Sequence, residues 1–443
     1  MCKERGTVHY LNFASDMNED SAYLYHSIEN RNCFDMLGSR KNENCYDLSD
    51  CEGCYGCDNL TISEGCIDSS YCYDCHNCQN CVGCYGLRNA KYHIFNKKYS
   101  PEDYRVEVNN LKLGTREGRE NIKNKFNELI KNYPRKFINS RHIINCTGDY
   151  IKNSQNCIDC FDVEGPNKDM RYSIYGVTNV QNTYDAYAFG VNVENCYEVL
   201  GAGDNVQDVH LSMYIFMGSF DCHYSYLLNG CTNCFACIGL RSKQYCILNK
   251  QYTKEEYEEL VPKIIKHMDD MPFTDSKGII YNYGEFFPSE LSPFCYNETI
   301  AQEYFPLTKD EAFRRGYQWK EREERNYQID IKSENISNNI KDVTNDILGK
   351  VIECAHKGKC NHQCTEAFKI IPEELQLYKR MNIPIPLICS NCRHYERLAQ
   401  RNPLKLWHRK CMKEGCVNEF ETSYAPERPE IIYCEKCYQQ EVY

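Results

Sequence analysis

Near the end of the chain, Cys411-x4-Cys416 is followed after seventeen residues by Cys434-x2-Cys437. Upstream, Cys360-x3-Cys364 is followed after twenty-four residues by Cys389-x2-Cys392. In each set the second cysteine is followed four residues later by a phenylalanine, Phe368 or Phe420. Two thiolate pairs on facing turns supply four soft ligands, the donor set and tetrahedral geometry that suit Zn²⁺. With all four positions taken by protein, no place remains for a reacting water, so two structural zinc ions are expected. Cys354 and His356 stand close by, and either could replace Cys360 in the first set. The ninety residues 354–443 hold few aliphatic side chains, so this tail is expected to depend on metal to fold.

The same tail is basic within an acidic protein. Net charge is −11 for the whole chain, yet residues 354–443 carry +3 and the remainder −14. Between 376 and 413 stand nine basic residues and one acid, Glu396. Arg393, Arg397 and Arg401 recur every four residues and would share one helix face. Lys405, Trp407, Arg409 and Lys410 follow. Guanidinium groups on one face, with Trp407 and Tyr395 available to stack, suit phosphate backbone and unstacked bases, so RNA or DNA is the expected partner. The plainer alternative is a solvated connector whose Leu398, Leu404, Leu406 and Trp407 pack the two cysteine sets together.

The elements that must carry this tail announce themselves by period. Eleven cysteines (Cys33, Cys45, Cys51, Cys54, Cys57, Cys66, Cys72, Cys75, Cys78, Cys81 and Cys84) all fall on numbers divisible by three. From Cys45 to Ala90 every third residue is Cys, Leu, Ser or Ala, and the residues between are mostly Asp, Asn, Glu, Gly, Tyr and Gln. A strand alternates with period two and an α-helix with 3.6; neither gives three. A tight coil with about four inward residues per twelve-residue turn does, and its narrow core is buried only by stacking coil on coil. Cysteine there serves as a small hydrophobe. The Cys72-x2-Cys75-x2-Cys78-x2-Cys81-x2-Cys84 run also resembles iron–sulfur ligand spacing, which is the weaker reading because Leu48, Leu60, Ser63 and Leu87 fill equivalent slots. Redox or metal handling by these cysteines stays open as an alternative function.

A second lobe follows a looser rule. Asn156, Asp169, Asn182, Asn195, Asp208 and Asp221 stand thirteen apart, each followed by a candidate inward residue: Cys157, Met170, Thr183, Cys196, Val209 or Cys222. Asn and Asp suit a left-handed corner and can stack as a hydrogen-bonded ladder. A calcium ladder is the sharper alternative, but no glycine-rich calcium nonapeptide is present. The two lobes are related: Cys78-Gln-Asn-Cys81-Val-Gly-Cys84-Tyr-Gly-Leu87-Arg88 matches Cys231-Thr-Asn-Cys234-Phe-Ala-Cys237-Ile-Gly-Leu240-Arg241 at an offset of 153. Ser100 and Thr253, each with an acid three residues on, are expected N-caps of a helix closing each lobe. Thr308 opens a further helix expected to run to about Arg325, and 326–353 reads as a linker.

No apolar run approaches the roughly 20 residues needed to span a bilayer, and the first residues lack the apolar stretch of a signal peptide. A cytoplasmic location with reduced thiols is expected, with no membrane partner. No P-loop, GxGxxG, HExxH or GxSxG motif occurs. Catalysis is therefore not the leading expectation and no catalytic residue is named, although solenoids do host hydrolases and lyases with outward carboxylates.

Two resemblances add to this. The coil geometry is similar to that of insect antifreeze solenoids, whose disulfides join cysteines six apart; Cys45/Cys51 or Cys78/Cys84 could pair so, but the threonine array of that family is missing. The phrases Cys389-Ser-Asn-Cys392-Arg-His-Tyr-Glu-Arg-Leu-Ala-Gln-Arg-Asn-Pro403, Phe420 to Cys434, and Cys237 to Tyr252 resemble a bacterial family of cysteine-rich zinc-ribbon proteins from candidate phyla. That resemblance covers most of the chain and implies paired ribbons on a repetitive body, with a further ribbon ahead of the solenoid in longer relatives, so that this chain would be a short form or a fragment. It supplies no activity. The expected fold is mainly β: a solenoid lobe at 1–100, a helical cap at 101–140, a second lobe at 141–253, a cap region at 254–325, a linker at 326–353 and tandem zinc ribbons at 354–443. The expected function is a zinc-binding scaffold that contacts nucleic acid through its tail. A protein-interaction scaffold with a partner on the tyrosine-rich solenoid and purely structural zinc is the alternative.

Overall fold

A computed structural model describes residues 22–25, 34–37, 56–177, 179–190, 197–203, 210–216, 218–322 and 326–442. Cys33, Cys45, Cys51 and Cys54 lie outside the described residues, as do Asn195, Cys196, Asp208 and Val209. The chain is mainly β, with 31% strand against 25% helix. It divides into two compact units: Met1–Pro134 with Glu323–Arg401 and Val442–Tyr443, and Arg135–Arg322 with Asn402–Glu441. The cysteine-bearing tail, expected as one domain, is thus shared between the units at 401/402.

In the first unit, Asp58–Thr61, Ser70–Tyr73, Gln79–Val82 and Lys91–Ile94 form a parallel ladder in chain order. Each partner stands twelve residues on: Asp58 faces Ser70, Ser70 faces Val82 and Gln79 faces Lys91. Ala22 faces Phe34 at the same offset. The backbone explains the period. From Gly56 to Phe95 every third residue, fourteen positions in all, has φ between 48° and 67°. One left-handed corner per three residues turns the chain and aims the next side chain inward. Left-handed backbone costs most L-residues roughly 1–2 kcal/mol, least for Gly, Asn and Asp. Ten of the fourteen corners are Gly, Asn or Asp, so the polar residues between the cysteines are the ones that make the turns.

The inward residues form one buried cluster: Cys57, Leu60, Cys66, Cys72, Cys75, Cys78, Cys81 and Cys84, with Leu87 and Ala90 packed against it. Ser63 and Ser69 occupy the remaining slots and are also buried. Cys78 and Cys84 are free thiols, so the six-apart disulfide expected as an alternative does not join them. On the outer face Tyr71, Val82 and Ile94 meet Tyr104, Ile122 and Phe126 from the helices Pro101–Asn110 and Arg116–Ile130. Ser100 caps the first of these, accepting from the Asp103 backbone N–H.

Residues 326–353 are more than a linker. Ile336, Ile340, Ile347 and Ile352 enter a core with Ile370, Leu375, Tyr378, Ile383 and Ile385. Ile336, Ile340 and Ile347 do so on or beside three short 3₁₀ turns, whose irregular spacing gives neither a helix nor a strand period, and Ile352 does so from the two-residue strand Ile352–Glu353.

The second unit uses the same backbone rule with an extra residue. Its parallel offset is twelve at Gly148/Cys160, becomes thirteen from Ser154/Asn167, and stays thirteen to Met213/Tyr226. It returns to twelve at Phe220/Thr232 and Thr232/Gln244. Left-handed corners step by four rather than three at Gly165 to Asp169, Tyr175 to Asn179 and Tyr214 to Gly218, which accommodates the added residue. Asn156, Asp169, Asn182 and Asp221 are all left-handed, and the Asn156 amide donates to Asp169 at 2.8 Å. Cys157, Met170, Thr183 and Cys222 are buried behind them. Thr253 caps the helix Lys254–Asp270 with a full capping box to Glu256, and Tyr257 joins Leu211, Tyr224, Phe235 and Ile247 in covering this end. The helix capped by Thr308 spans Lys309–Arg314, shorter than expected, because Gly316 turns left-handed just beyond it.

Candidate metal centres

Three groups of residues bring ligand atoms within 4.8 Å of one another: Cys354, Cys364, Cys389 and Cys392; His356, Cys360, His362 and Cys392; and Cys411, Cys416, Cys434 and Cys437. The two all-cysteine groups are built alike. In one, Cys354 directly follows the strand Ile352–Glu353, and Cys364 stands three residues before its antiparallel partner Ala367–Phe368. Cys389 is the N-cap of the helix Ser390–Leu398, and Cys392 lies in its first turn. In the other, Cys411 follows the strand Trp407–Lys410, Cys416 precedes its partner Glu419–Thr422, and Cys434 and Cys437 open the helix Glu435–Val442. A helix start favours thiolate over thiol through the positive end of its dipole.

The donor set fits a tetrahedral thiophilic ion. Four sulfurs at about 2.3 Å from a centre are about 3.8 Å from one another. Cys354 Sγ lies 3.9 Å from Cys392 Sγ, Cys389 Sγ lies 4.0 Å from Cys364 Sγ, and Cys416 Sγ lies 3.9 Å from Cys434 Sγ. Backbone N–H groups steady the sulfurs: Cys389 donates to Cys354 Sγ at 3.3 Å, Glu366 to Cys364 Sγ at 3.4 Å, and Cys434 to Cys411 Sγ at 3.3 Å. The side-chain hydrogen bond between the Cys354 and Cys389 sulfurs, helped by burial, pushes the Cys354 thiol up to about 12 against the pull of Cys392 and of the Cys389 backbone N–H, and the same pairing holds Cys389 low. In the other set burial pushes Cys437 up to about 12. Against burial, the Asn418 amide, 3.4 Å away, helps to draw Cys434 down to about 7. These are the proton-sharing clusters expected where thiolates crowd together.

Of the eight cysteines expected as ligands, Cys411, Cys416, Cys434 and Cys437 come together as one set, and Cys364, Cys389 and Cys392 as three-quarters of another. The place expected for Cys360 is taken by Cys354, the alternative noted from the sequence, because the hairpin register sets Glu353 opposite Ala367 and so brings Cys354 to the turn. Cys360 instead joins His356 and His362 beside Cys392. His362 is a ligand-type residue that the four-cysteine pattern overlooked; the spacing Cys354-x-His356-x3-Cys360-x-His362-x-Cys364 was the signal for it. Burial pulls its imidazole below the ordinary histidine range, which favours the neutral, ligating form. The run Cys72–Cys84 is in none of the three groups.

The basic residues are not gathered into one exposed face. Arg393 is 6% exposed and paired with Asp35 at 3.0 Å and Glu374 at 3.1 Å; Arg397 is 3% exposed and paired with Asp35 at 3.3 Å. The expectation that these two guanidinium groups line a nucleic-acid face is corrected: they face inward because buried carboxylates await them. The helix ends at Leu398, so Arg401 lies beyond it and is half-buried. Arg409 donates to the carbonyls of Tyr424 and Ala425 at 3.4 and 3.2 Å. Lys405 is exposed, 5.1 Å over the half-buried Trp407 ring, and exposed Lys410 pairs with Glu419 at 2.9 Å. Among the described residues no helix is long and apolar enough to cross a membrane. The chain matches no protein-family model and no curated protein.

Proposed function

We propose that this chain is a zinc-binding scaffold: two β-solenoid lobes, each continuous with a zinc-ribbon element whose ion is structural. The observation that carries this reading is the repeated construction of the two four-cysteine sets, with antiparallel strands supplying one pair and a helix start the other. Each offers four thiolates and no open position, the pattern of an ion that holds a fold rather than one that activates water. The parallel ladders, with offsets of twelve and thirteen and a corner every three or four residues, support the solenoid reading. Metal analysis of the purified full chain tests the proposal. A zinc ion in each four-cysteine set is expected, with chelation lowering the melting temperature; a metal-free protein whose stability ignores chelators would overturn it.

A second reading, contact with nucleic acid, is supported by Lys405 over Trp407 and by the exposed Lys410. It is narrower than the sequence suggested, resting on Lys405, Trp407 and Lys410. Such binding would fall with salt, and the Lys405→Glu/Lys410→Glu variant would weaken it at least tenfold on a single-stranded RNA probe. Equal affinity in that variant would remove the reading and favour a protein partner.

A further inference from the structure

The first four-cysteine set carries something the second lacks. Its opening pair is separated by nine residues, Cys354 to Cys364, where the other pair, Cys411 to Cys416, is separated by four. The added loop delivers three more ligand-type side chains, His356, Cys360 and His362, and places them beside Cys392. Cys392 Sγ lies 3.9 Å from Cys354 Sγ on one side and 3.7 Å from Cys360 Sγ on the other. Both distances match the edge of a tetrahedron around a thiolate-bound ion, about 3.8 Å.

The histidines are placed without other employment for their inner nitrogens. Nδ1 of His356 and Nδ1 of His362 are both buried and without a hydrogen-bond partner. A buried polar nitrogen left unpaired is costly, and a metal ion is one way to satisfy it. The His356 and His362 rings are 5.5 Å apart, and His362 is stacked on Tyr395 at 5.4 Å with the planes 6° apart. That stacking fixes the orientation of the imidazole as ligating histidines require.

We propose that this centre holds two divalent ions bridged by the Cys392 thiolate. One is bound by Cys354, Cys364, Cys389 and Cys392, the other by His356, Cys360, His362 and Cys392. A thiolate has lone pairs for two ions, and seven side chains then complete two four-coordinate sites. Sharing also eases the electrostatics: one dication among four thiolates leaves two negative charges, whereas two dications among five leave one. The inference rests on the zinc reading above and adds a third ion per chain.

Metal stoichiometry and ¹¹³Cd NMR on the full chain separate the two ideas. Native mass spectrometry of the zinc-loaded protein should show three ions. The His356→Ala/His362→Ala variant should lose one and keep two, and Cys360→Ser should do the same if the double variant does not fold. Cadmium-loaded protein should show scalar coupling between two ¹¹³Cd nuclei, abolished in either variant and retained in Cys411→Ser, which empties only the other four-cysteine set. Two ions in the wild type, unchanged in the histidine variant, would overturn the second site and leave the structural-zinc proposal standing. Three ions without coupling would overturn the bridge. No bound ion would overturn both readings.

Discussion

Arg393 Nε lies 3.0 Å from an Asp35 carboxylate oxygen, 358 positions away in the chain, and neither side chain is more than 6% exposed. Arg397 reaches the same carboxylate at 3.3 Å, and Glu374 takes the other arm of Arg393 at 3.1 Å. Cys392, the immediate neighbour of Arg393, is a candidate metal ligand. The buried ion pairs therefore fix the helix that presents Cys389 and Cys392, and fix it to a strand near the start of the chain.

The first prediction follows from that geometry. Asp35→Ala leaves two buried guanidinium groups without their shared partner, and breaking a buried pair from one side costs about 3–5 kcal/mol. Urea denaturation should show this loss in the first unit. Arg393→Glu should act as a folding variant, placing a third carboxylate beside Asp35 and Glu374. If either variant kept wild-type stability, the pairs would not be holding this helix.

Much of this was legible in the sequence, and the reasons for the misses are physical. The period of three is written in the chain because one backbone corner recurs every three residues, and Gly, Asn and Asp mark it. The caps at Ser100, Thr253 and Thr308 were readable because capping is local. The burial of Arg393 and Arg397 was not, since their partners are distant in sequence and a helical i, i+4 spacing looks the same facing water or carboxylate. The choice of Cys354 over Cys360 depends on hairpin register, which cysteine spacing does not encode. Ile336, Ile340 and Ile347 read as a linker because 3₁₀ turns carry no long period.

The inward slots of the first lobe lead to a second prediction. Ser63 Oγ donates to the Thr61 carbonyl at 3.0 Å and accepts from the Cys75 N–H, twelve residues on, at 3.1 Å. Ser69 does the same with Ile67 at 2.9 Å and the Cys81 N–H at 3.2 Å. Cys57 accepts from the Ser69 N–H at 3.4 Å. Cys and Ser therefore recur inside because they are small and can relay a hydrogen bond between turns. Ser63→Ala should destabilise by about 1–3 kcal/mol, since the buried Cys75 N–H loses a partner. Ser63→Cys should cost less than about 1 kcal/mol, because a thiol sits in the equivalent slots already. Denaturant midpoints of the two variants decide the point; an alanine variant as stable as the cysteine one would refute the relay.

A third prediction concerns pH. In the metal-free second set, burial holds Cys411 above its ordinary value and Cys437 at about 12, so both are protonated near neutrality. Thiolate is the ligating form, so zinc uptake must expel those protons. With at least two protons released per ion, apparent affinity should rise roughly a hundredfold per pH unit and zinc should leave on acidification. Calorimetric titration in buffers of different ionisation enthalpy counts the protons. An affinity flat between about pH 6 and 8 would contradict thiolate ligation.

The last prediction joins metal to fold in the second unit. Asp149 is buried, and burial pushes its carboxyl above the usual range while the Ser423 hydroxyl and Asn402 amide pull it back. The Ser423 hydroxyl donates to it, the Asn402 amide donates at 3.0 Å, and the backbone N–H of Asn139 donates at 2.7 Å. Thr422 donates to the Phe137 carbonyl at 2.6 Å, and the Phe137 and Phe420 rings lie 4.9 Å apart. Three of these partners, Phe420, Thr422 and Ser423, sit on or beside the strand Glu419–Thr422, between Cys416 and Cys434. Cys411→Ser should lose that set's ion, loosen the strand and leave Asp149 short of a donor. Each lost hydrogen bond to a charged group costs about 1.5–3 kcal/mol. The variant should therefore be cut by protease within 402–441 and melt earlier than the wild type, and chelator-treated wild type should match it. A variant that lost the ion yet resisted protease as the parent does would mean that the protein contacts around Asp149, rather than the metal, hold this segment in place.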